Sequence, residues 1–364
     1  MSALAPSPAS PRWIISRRED LVWFQGSVII GVLLLVVFAL APTLNNESFQ
    51  AGNGVVLLIL FWGVFFDGTH VWGTYARSYL AKDDASPAAL PGAWSWSLLA
   101  LGPALAVVDH LLLPNEPSQL ARAGWLFRTF LVFAYLWAYW HLVRQHYGFL
   151  VLYRRRAGEH DRRGAKLDTA LLWTGCLYPY LRFPLSPAYA ESGLPDLVPA
   201  DMRGPLTLAL DVGFAVTMAS LIVVMVLGRV EPFQPGPKHL FLAVVLVFHC
   251  AVFAFLDNLL TITATLTVFH NLQYHRIVWQ YERGHGRKPS GGLVPYLLLG
   301  ILLGLVWYGP RVLGVALVQN DLARNVLLGL GWGVAMHHYL VDGCIWRVRR
   351  SKEVARALDE GAAR

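Results

Sequence analysis

Histidines in apolar segments are the residues of this chain best suited to do chemistry. Twelve histidines occur in 364 residues, and seven of them stand in four hydrophobic runs, FFDGTHVW, YWHLVRQHYG, FHNLQYHRIVW and MHHYLVDGCIW. Neutral imidazole binds iron, copper and zinc, and a polar group in hydrocarbon needs a partner or a metal to offset its cost. The pattern therefore predicts a metal site. Its predicted ligands are His70, His141, His146, His270, His275, His337 and His338.

Two carboxylates accompany these histidines at helical spacing. Asp67 lies three residues before His70, and Asp342 lies four residues after His338, so each shares a helix face with its histidine. A carboxylate in that position binds the metal directly or accepts the second ring N–H of a ligand, which fixes the tautomer. Asp67 and Asp342 are therefore the candidate catalytic carboxylates.

The pairs in HLVRQH and HNLQYH are each spaced by five residues. On an ideal helix, side chains five residues apart point about 140° apart. Each pair therefore needs a π-bulge, or its two members face different sides of a centre.

The other residue types indicate iron. The three cysteines form no CxxC pair, which argues against a disulfide framework and a thiolate site. The low methionine count disfavours copper(I) handling, and seven candidate nitrogens exceed the three or four that one zinc takes. We predict iron, two ions rather than one, with O2 as co-substrate. A b-type haem between facing histidines is a weaker alternative.

Membrane-spanning helices must position these residues. The chain is 55% hydrophobic and 15% charged, which is more apolar surface than a water-soluble core buries. Segments of about 20 apolar residues predict an all-α polytopic bundle of about ten spans, with about eight as the lower bound. One transmembrane domain, residues 21–347, lies between an N-terminal segment, 1–20, and a polar tail, 348–364. The predicted spans are 21–44, 54–79, 94–113, 125–153, a fifth that begins at 167, then 205–227, 239–256, 258–281, 293–318 and 323–346.

Basic residues set the predicted orientation. The loop RRRAGEHDRRGAK is strongly basic, so the positive-inside rule makes it and both termini cytoplasmic. The four histidine-bearing spans then all run inward, and their histidines precede the basic flanks by seven to nine residues, or about 10 to 14 Å. The turn at Asp257 and Asn258 leaves an alternative, one long helix with a re-entrant piece. We expect a multi-pass protein of a bacterial inner membrane.

Two further sets of residues have simpler interpretations. The net charge of +7 comes from short runs beside apolar segments, with no RNA-binding motif, so nucleic acid is not a predicted partner. Isolated histidines in membrane helices most often hydrogen-bond to a neighbouring helix. That interpretation is given to His110, His160, His239, His249 and His285.

Several runs resemble a known family in type and order. HHYLVDGCIWR, FHNLQYHRIVW and HLVRQH resemble the polytopic Brp/Blh carotenoid dioxygenases, which cleave β-carotene to retinal with histidine-bound iron. That resemblance implies a carotenoid-cleavage-like reaction. The two H-x4-H spacings also resemble the histidine boxes of membrane di-iron desaturases and hydroxylases.

Together these patterns predict an integral-membrane non-haem iron oxygenase that oxidises a lipophilic substrate entering from the bilayer. A dry cavity would protect the reactive species from quenching. One alternative is a desaturase or hydroxylase, which needs an electron-transfer partner on the basic cytoplasmic face. Another is a transporter or metal-handling protein whose intramembrane histidines relay protons or ions.

Overall fold

The computed structural model describes residues 12–40, 60–80, 90–112, 124–191, 197–227, 235–318, 320–346 and 351–363. Every regular element in these ranges is helical, which confirms the all-α prediction. The predicted boundaries at Leu44, Gly54 and Leu113 lie outside the described residues, as do residues 1–11 and 348–350 of the two predicted terminal segments.

The described residues form thirteen α-helices in chain order. A π-helical turn, Leu21–Gln25, lies between α1 and α2, and a second, Gly63–Asp67, leads directly into α3. The helices are α1 Arg17–Asp20, α2 Val28–Leu40, α3 Gly68–Ser78, α4 Leu98–Leu112, α5 Trp125–Arg156, α6 Arg162–Arg182, α7 Pro187–Glu191, α8 Ala200–Val226, α9 Pro237–Phe255, α10 Leu259–Gly284, α11 Leu293–Leu317, α12 Asp321–Ile345 and α13 Lys352–Ala363.

Five helical segments are long and apolar enough to cross a membrane. They are Arg17–Val37, Ala93–Leu112, Trp125–Arg156, Ala200–Val226 and Pro237–Phe255. This is compatible with an integral membrane protein. The larger number of ten spans and the cytoplasmic position of both termini stay predictions.

The exposed residues of helix α8 indicate whether the outer surface is suited to water or to lipid. No residue of α8 is buried, and apolar side chains such as Leu208 (66% exposed) and Val216 (61% exposed) face outward. A contiguous exposed apolar surface of this kind is unfavourable in water and matches lipid tails. Asp211 in the middle of α8 accepts hydrogen bonds from Tyr178 and Arg182 of α6, each at 2.9 Å.

The turn between α9 and α10 is a real helix boundary. Leu256 has extended backbone angles, and the side chain of Asn258 accepts a hydrogen bond from the Leu260 N–H at 2.8 Å, which caps α10. Because α9 and α10 are separate helices that contact each other, the alternative of one long helix is wrong.

Glycines allow the helices that carry the predicted ligands to pack closely. A Cβ added at Gly102 of α4 would stand 2.6 Å from the Gly329 Cα of α12, and one at Gly304 of α11 would stand 2.5 Å from the Val64 carbonyl oxygen. Small residues at such crossings let backbones approach in membrane bundles. These contacts fix α12 against α4, and α11 against the π-helical turn that precedes α3.

The predicted polar tail forms α13, which packs on α10. Val354, Ala355, Ala357 and Leu358 are buried there, and a Cβ added at Gly284 of α10 would overlap the Ala357 carbonyl. Asp359 pairs with Arg155 at 2.5 Å and with Arg156 at 3.0 Å. The last helix therefore joins the ends of α5 and α10.

We predict that Gly329→Ala destabilises the protein. The new Cβ would stand 2.6 Å from the Gly102 carbonyl carbon and 2.8 Å from the Pro103 nitrogen, so α4 and α12 must separate, at a cost of about 1–3 kcal/mol. The measurement is the apparent unfolding temperature of the purified protein in detergent. Gly213→Ala on α8 is the matched control, because nothing lies within 4 Å of a Cβ there. Equal unfolding temperatures for the two variants would contradict the prediction.

Candidate metal centre

Three histidines and one aspartate from three helices meet inside the bundle. One ligand atom from each of His70, His141, His338 and Asp342 lies within 4.8 Å of the other three, and all four side chains are buried. His70 comes from α3, His141 from α5, and His338 and Asp342 from α12. This group is called the primary cluster.

Local helix geometry orients the primary cluster. The π-helical turn Gly63–Asp67 ends three residues before His70, and π-turns inside helices occur frequently at functional sites. On α12, the spacing of four residues places His338 and Asp342 on one face. The ligands therefore sit on continuous helices and not on loops.

The imidazole spacing fits coordination to one ion. His70 Nε2 and His338 Nε2 are 3.0 Å apart. Two nitrogens bound about 2.1 Å from an ion at a right angle stand about 3.0 Å from each other. His141 Nε2 and His338 Nε2 lie 3.7 Å and 3.9 Å from Asp342 Oδ2.

Hydrogen bonds hold the Asp342 carboxylate in one orientation. Its Oδ1 accepts from Thr74 Oγ1 and from Tyr274 OH, each at 2.7 Å. Trp346 Nε1 donates in turn to Tyr274 OH at 3.2 Å. With Oδ1 occupied in this way, Oδ2 is the oxygen that faces the imidazoles, as expected when outer partners orient a metal-binding carboxylate.

Gln145 is a part of the cluster that the sequence analysis missed. Its Nε2 donates to His141 Nε2 at 2.7 Å and to Asp342 Oδ2 at 2.5 Å. One donor group therefore bridges two acceptor atoms at a place where a cation would also satisfy both. The sequence signal that identifies Gln145 is its spacing of four residues from His141, which places both side chains on one face of α5.

His270 of α10 stands beside the primary cluster. Its ring centroid is 4.8 Å from that of His70 and 6.1 Å from that of His141. The side chain is buried, and neither ring nitrogen has a hydrogen-bond partner among the described residues. Buried polar atoms are nearly always paired, so this imidazole is available to bind a ligand.

Five of the nine predicted site residues lie outside the primary cluster, namely His146, His270, His275, His337 and Asp67. His275 is bonded to Tyr296 OH at 2.8 Å and to Thr69 Oγ1 at 3.1 Å. His337 is bonded to Tyr75 OH at 3.1 Å and stacks on Trp96 with ring centroids 4.1 Å apart. Asp67 accepts a hydrogen bond from Tyr308.

Helix phase explains this separation. Both α10 and α12 are regular α-helices through the histidine positions, so a partner five residues away, or the adjacent residue, points to another side. The same phase on α5 directs His146 away from His141 and toward His249 of α9, with ring centroids 5.4 Å apart. The histidine pairs thus face different sides, without the alternative π-bulge.

Adjacent histidines on α12 allow a matched test of the primary cluster. We predict that His338→Ala loses the metal held by the primary cluster, because one of four convergent ligands is removed, whereas His337→Ala retains it. The measurement is metal content per protein by elemental analysis after purification. Equal metal content in the two variants would contradict the assignment.

A second prediction concerns the orientation of Asp342. Tyr274→Phe removes a donor to Oδ1 without changing the ring, and we expect metal affinity to fall about 10- to 100-fold. Competition with a chelator of known affinity measures the change. Tyr296→Phe, which removes a hydrogen bond to His275 instead, is the control and should leave the affinity unchanged. A normal affinity in Tyr274→Phe would show that this bond does not support the site.

Comparisons of the chain with family models, with curated proteins and with solved structures find no match. The resemblance to the Brp/Blh dioxygenases and to the histidine-box desaturases stays a prediction that rests on the motifs.

Proposed function

We propose that this chain is an integral-membrane non-haem iron oxygenase, which binds iron at the primary cluster and uses O2 to oxidise a lipophilic substrate. The observation that carries the proposal is the convergence of three buried imidazoles and one oriented carboxylate in a bundle with long apolar helices. Both O2 and an apolar substrate are compatible with the apolar interior of this bundle.

The donor set favours iron among the metals that imidazole binds. Three nitrogens and one carboxylate oxygen suit an iron ion with six coordination positions, which leaves two positions open. When bound, iron supplies the capacity to activate dioxygen, whereas zinc has no redox chemistry. Thr74 and Tyr274 orient the Asp342 carboxylate for such an ion.

Exclusion of water supports oxidative chemistry at this place. The four side chains of the primary cluster are between 1% and 7% exposed. A site of this kind protects a reactive oxidising species from quenching by solvent. The bundle thus provides the dry surroundings that such chemistry needs.

Aromatic side chains connect the cluster with the lipid-facing surface. Tyr339 of α12 stacks on His141 at 4.3 Å between centroids, Trp137 contacts Tyr339 at 6.0 Å, and Phe133 contacts Trp137 at 5.7 Å. Phe133 is 50% exposed on the outside of α5. This continuous aromatic path supports lateral approach of a flat, apolar substrate such as a carotenoid.

The reaction class follows from the supply of electrons. A dioxygenase places both atoms of O2 in the products of a cleaved C=C bond and takes up no external electrons, whereas desaturation or hydroxylation consumes two electrons from a donor. The basic run at the end of α5 would dock such a donor. However, Arg155 and Arg156 pair with Asp359, and Arg154 pairs with Asp168 at 2.6 Å. This internal pairing favours the dioxygenase.

The transporter alternative has less support. Transport sites are typically formed by helices that are broken near the substrate. Here α5, α10 and α12 run as regular helices through His141, His270 and His338. Continuous helices suit a fixed centre better than a moving gate.

The test is turnover by the iron-loaded, full-length protein in lipid nanodiscs. We expect β-carotene to be consumed with one O2 per substrate and no added reductant, with wild-type rates in His337→Ala and no turnover in His338→Ala. Turnover of a fatty acyl lipid that depends on a reductant would replace the proposal with the desaturase or hydroxylase. Metal or proton flux in liposomes without any substrate oxidation would replace it with the transporter.

A further inference from the structure

A second group of buried histidines includes His270, which stands beside the primary cluster. His146 of α5, His249 of α9 and His270 of α10 have side-chain exposures of 0%, 0% and 2%. The ring centroid of His146 is 5.4 Å from that of His249 and 6.0 Å from that of His270. This group is called the secondary cluster.

The ring spacing fits ligands of a single ion. With a metal–nitrogen bond of about 2.1 Å, an imidazole centroid stands about 3.2 Å from the ion, so two such centroids are about 4.5 to 6.4 Å apart for angles from 90° to 180°. Both centroid distances from His146 fall within this interval. His146 is therefore close enough to share an ion with each of the other two rings.

Five of the six ring nitrogens in the secondary cluster lack a partner among the described residues. Both ring nitrogens of His146, both of His270 and Nε2 of His249 are buried and have no hydrogen bond among the described residues. The space beside His146 is apolar, since Phe241 and Phe269 lie 6.0 Å and 5.5 Å from its centroid. Five unsatisfied buried nitrogens in aromatic surroundings carry a high cost unless a ligand occupies them.

His249 is held in the tautomer that a ligand needs. Tyr139 OH donates its proton to the Cys176 carbonyl oxygen at 2.5 Å. Its oxygen is then the acceptor for His249 Nδ1–H at 2.8 Å, which leaves the Nε2 lone pair free. Metal-binding histidines are commonly fixed by an outer hydrogen bond in this way.

We propose that His146, His249 and His270 form a second divalent metal position next to the primary cluster. Three neutral imidazoles are a sufficient protein ligand set for one such ion, with open positions for water or substrate. The inference rests on the proposed function only for the choice of iron. It retains the prediction of two ions, adds His249 to the predicted ligand set and leaves out His275 and His337.

The test is an anaerobic Fe(II) titration of the metal-free, full-length protein in detergent, with bound iron counted after equilibrium dialysis. We expect two equivalents in the wild type and one in His249→Asn. The Asn amide still donates a hydrogen bond to Tyr139 but has no counterpart of His249 Nε2. A lost equivalent of iron therefore reports on Nε2 as a ligand. His239→Asn on the same helix is the matched control and should bind two equivalents. His338→Ala should retain one equivalent.

The outcomes separate this inference from the proposed function. If the wild type binds one equivalent of iron and His249→Asn also binds one, the second position is overturned and the primary cluster is left intact. Two equivalents in His249→Asn would also overturn it. Failure of the wild type to bind iron would reject both. If His249→Asn aggregates on size-exclusion chromatography, His146→Gln takes its place, with one equivalent expected.

Discussion

The desolvation of the Asp342 carboxylate is the constraint on which the centre depends. A carboxylate removed from water needs hydrogen bonds and a positive charge to compensate, and burial without them is costly. Thr74, Tyr274 and Gln145 supply donors from three different helices. Because these donors must all reach one side chain, the relative positions of α3, α5, α10 and α12 are fixed together, and the imidazoles are brought into register as a result.

Close helix contacts make this register attainable. The glycine crossing at Gly102 and Gly329 sets the distance of α12 from α4, while Gly304 brings α11 against the π-helical turn that precedes α3. Larger residues would hold these helices apart. The packing residues are thus as necessary to the centre as the ligands, although they lie in different parts of the bundle.

Helical periodicity and polarity allowed part of the site to be predicted from sequence. His70, His141, His338 and Asp342 stand in apolar runs, at depths and spacings that the structure brings together. The sequence does not specify which of two adjacent residues faces inward, because that depends on how α12 is rotated against its neighbours. His337 was therefore predicted as a ligand, although it contacts Tyr75 and Trp96.

His249 forms a hydrogen bond to Tyr139 of α5, as the interpretation of isolated membrane histidines predicts. It lies ten residues after His239, or about 15 Å along the helix, close to the depth inferred for the other clusters. Depth counted from the inner boundary is the signal that places it near the other histidines. Prediction of the fold class requires less information than prediction of the site. Helix-forming apolar runs indicate an all-α bundle without knowledge of the contacts between helices.

The contribution of α12 also has a consequence for biogenesis. Two of the four groups in the primary cluster, His338 and Asp342, come from this helix, which precedes only α13 in the described chain. During synthesis, α3 and α5 reach the bilayer long before these residues leave the ribosome. The four groups therefore meet only after α12 has been synthesised, so a metal at the primary cluster would bind after α3 and α5 are in place.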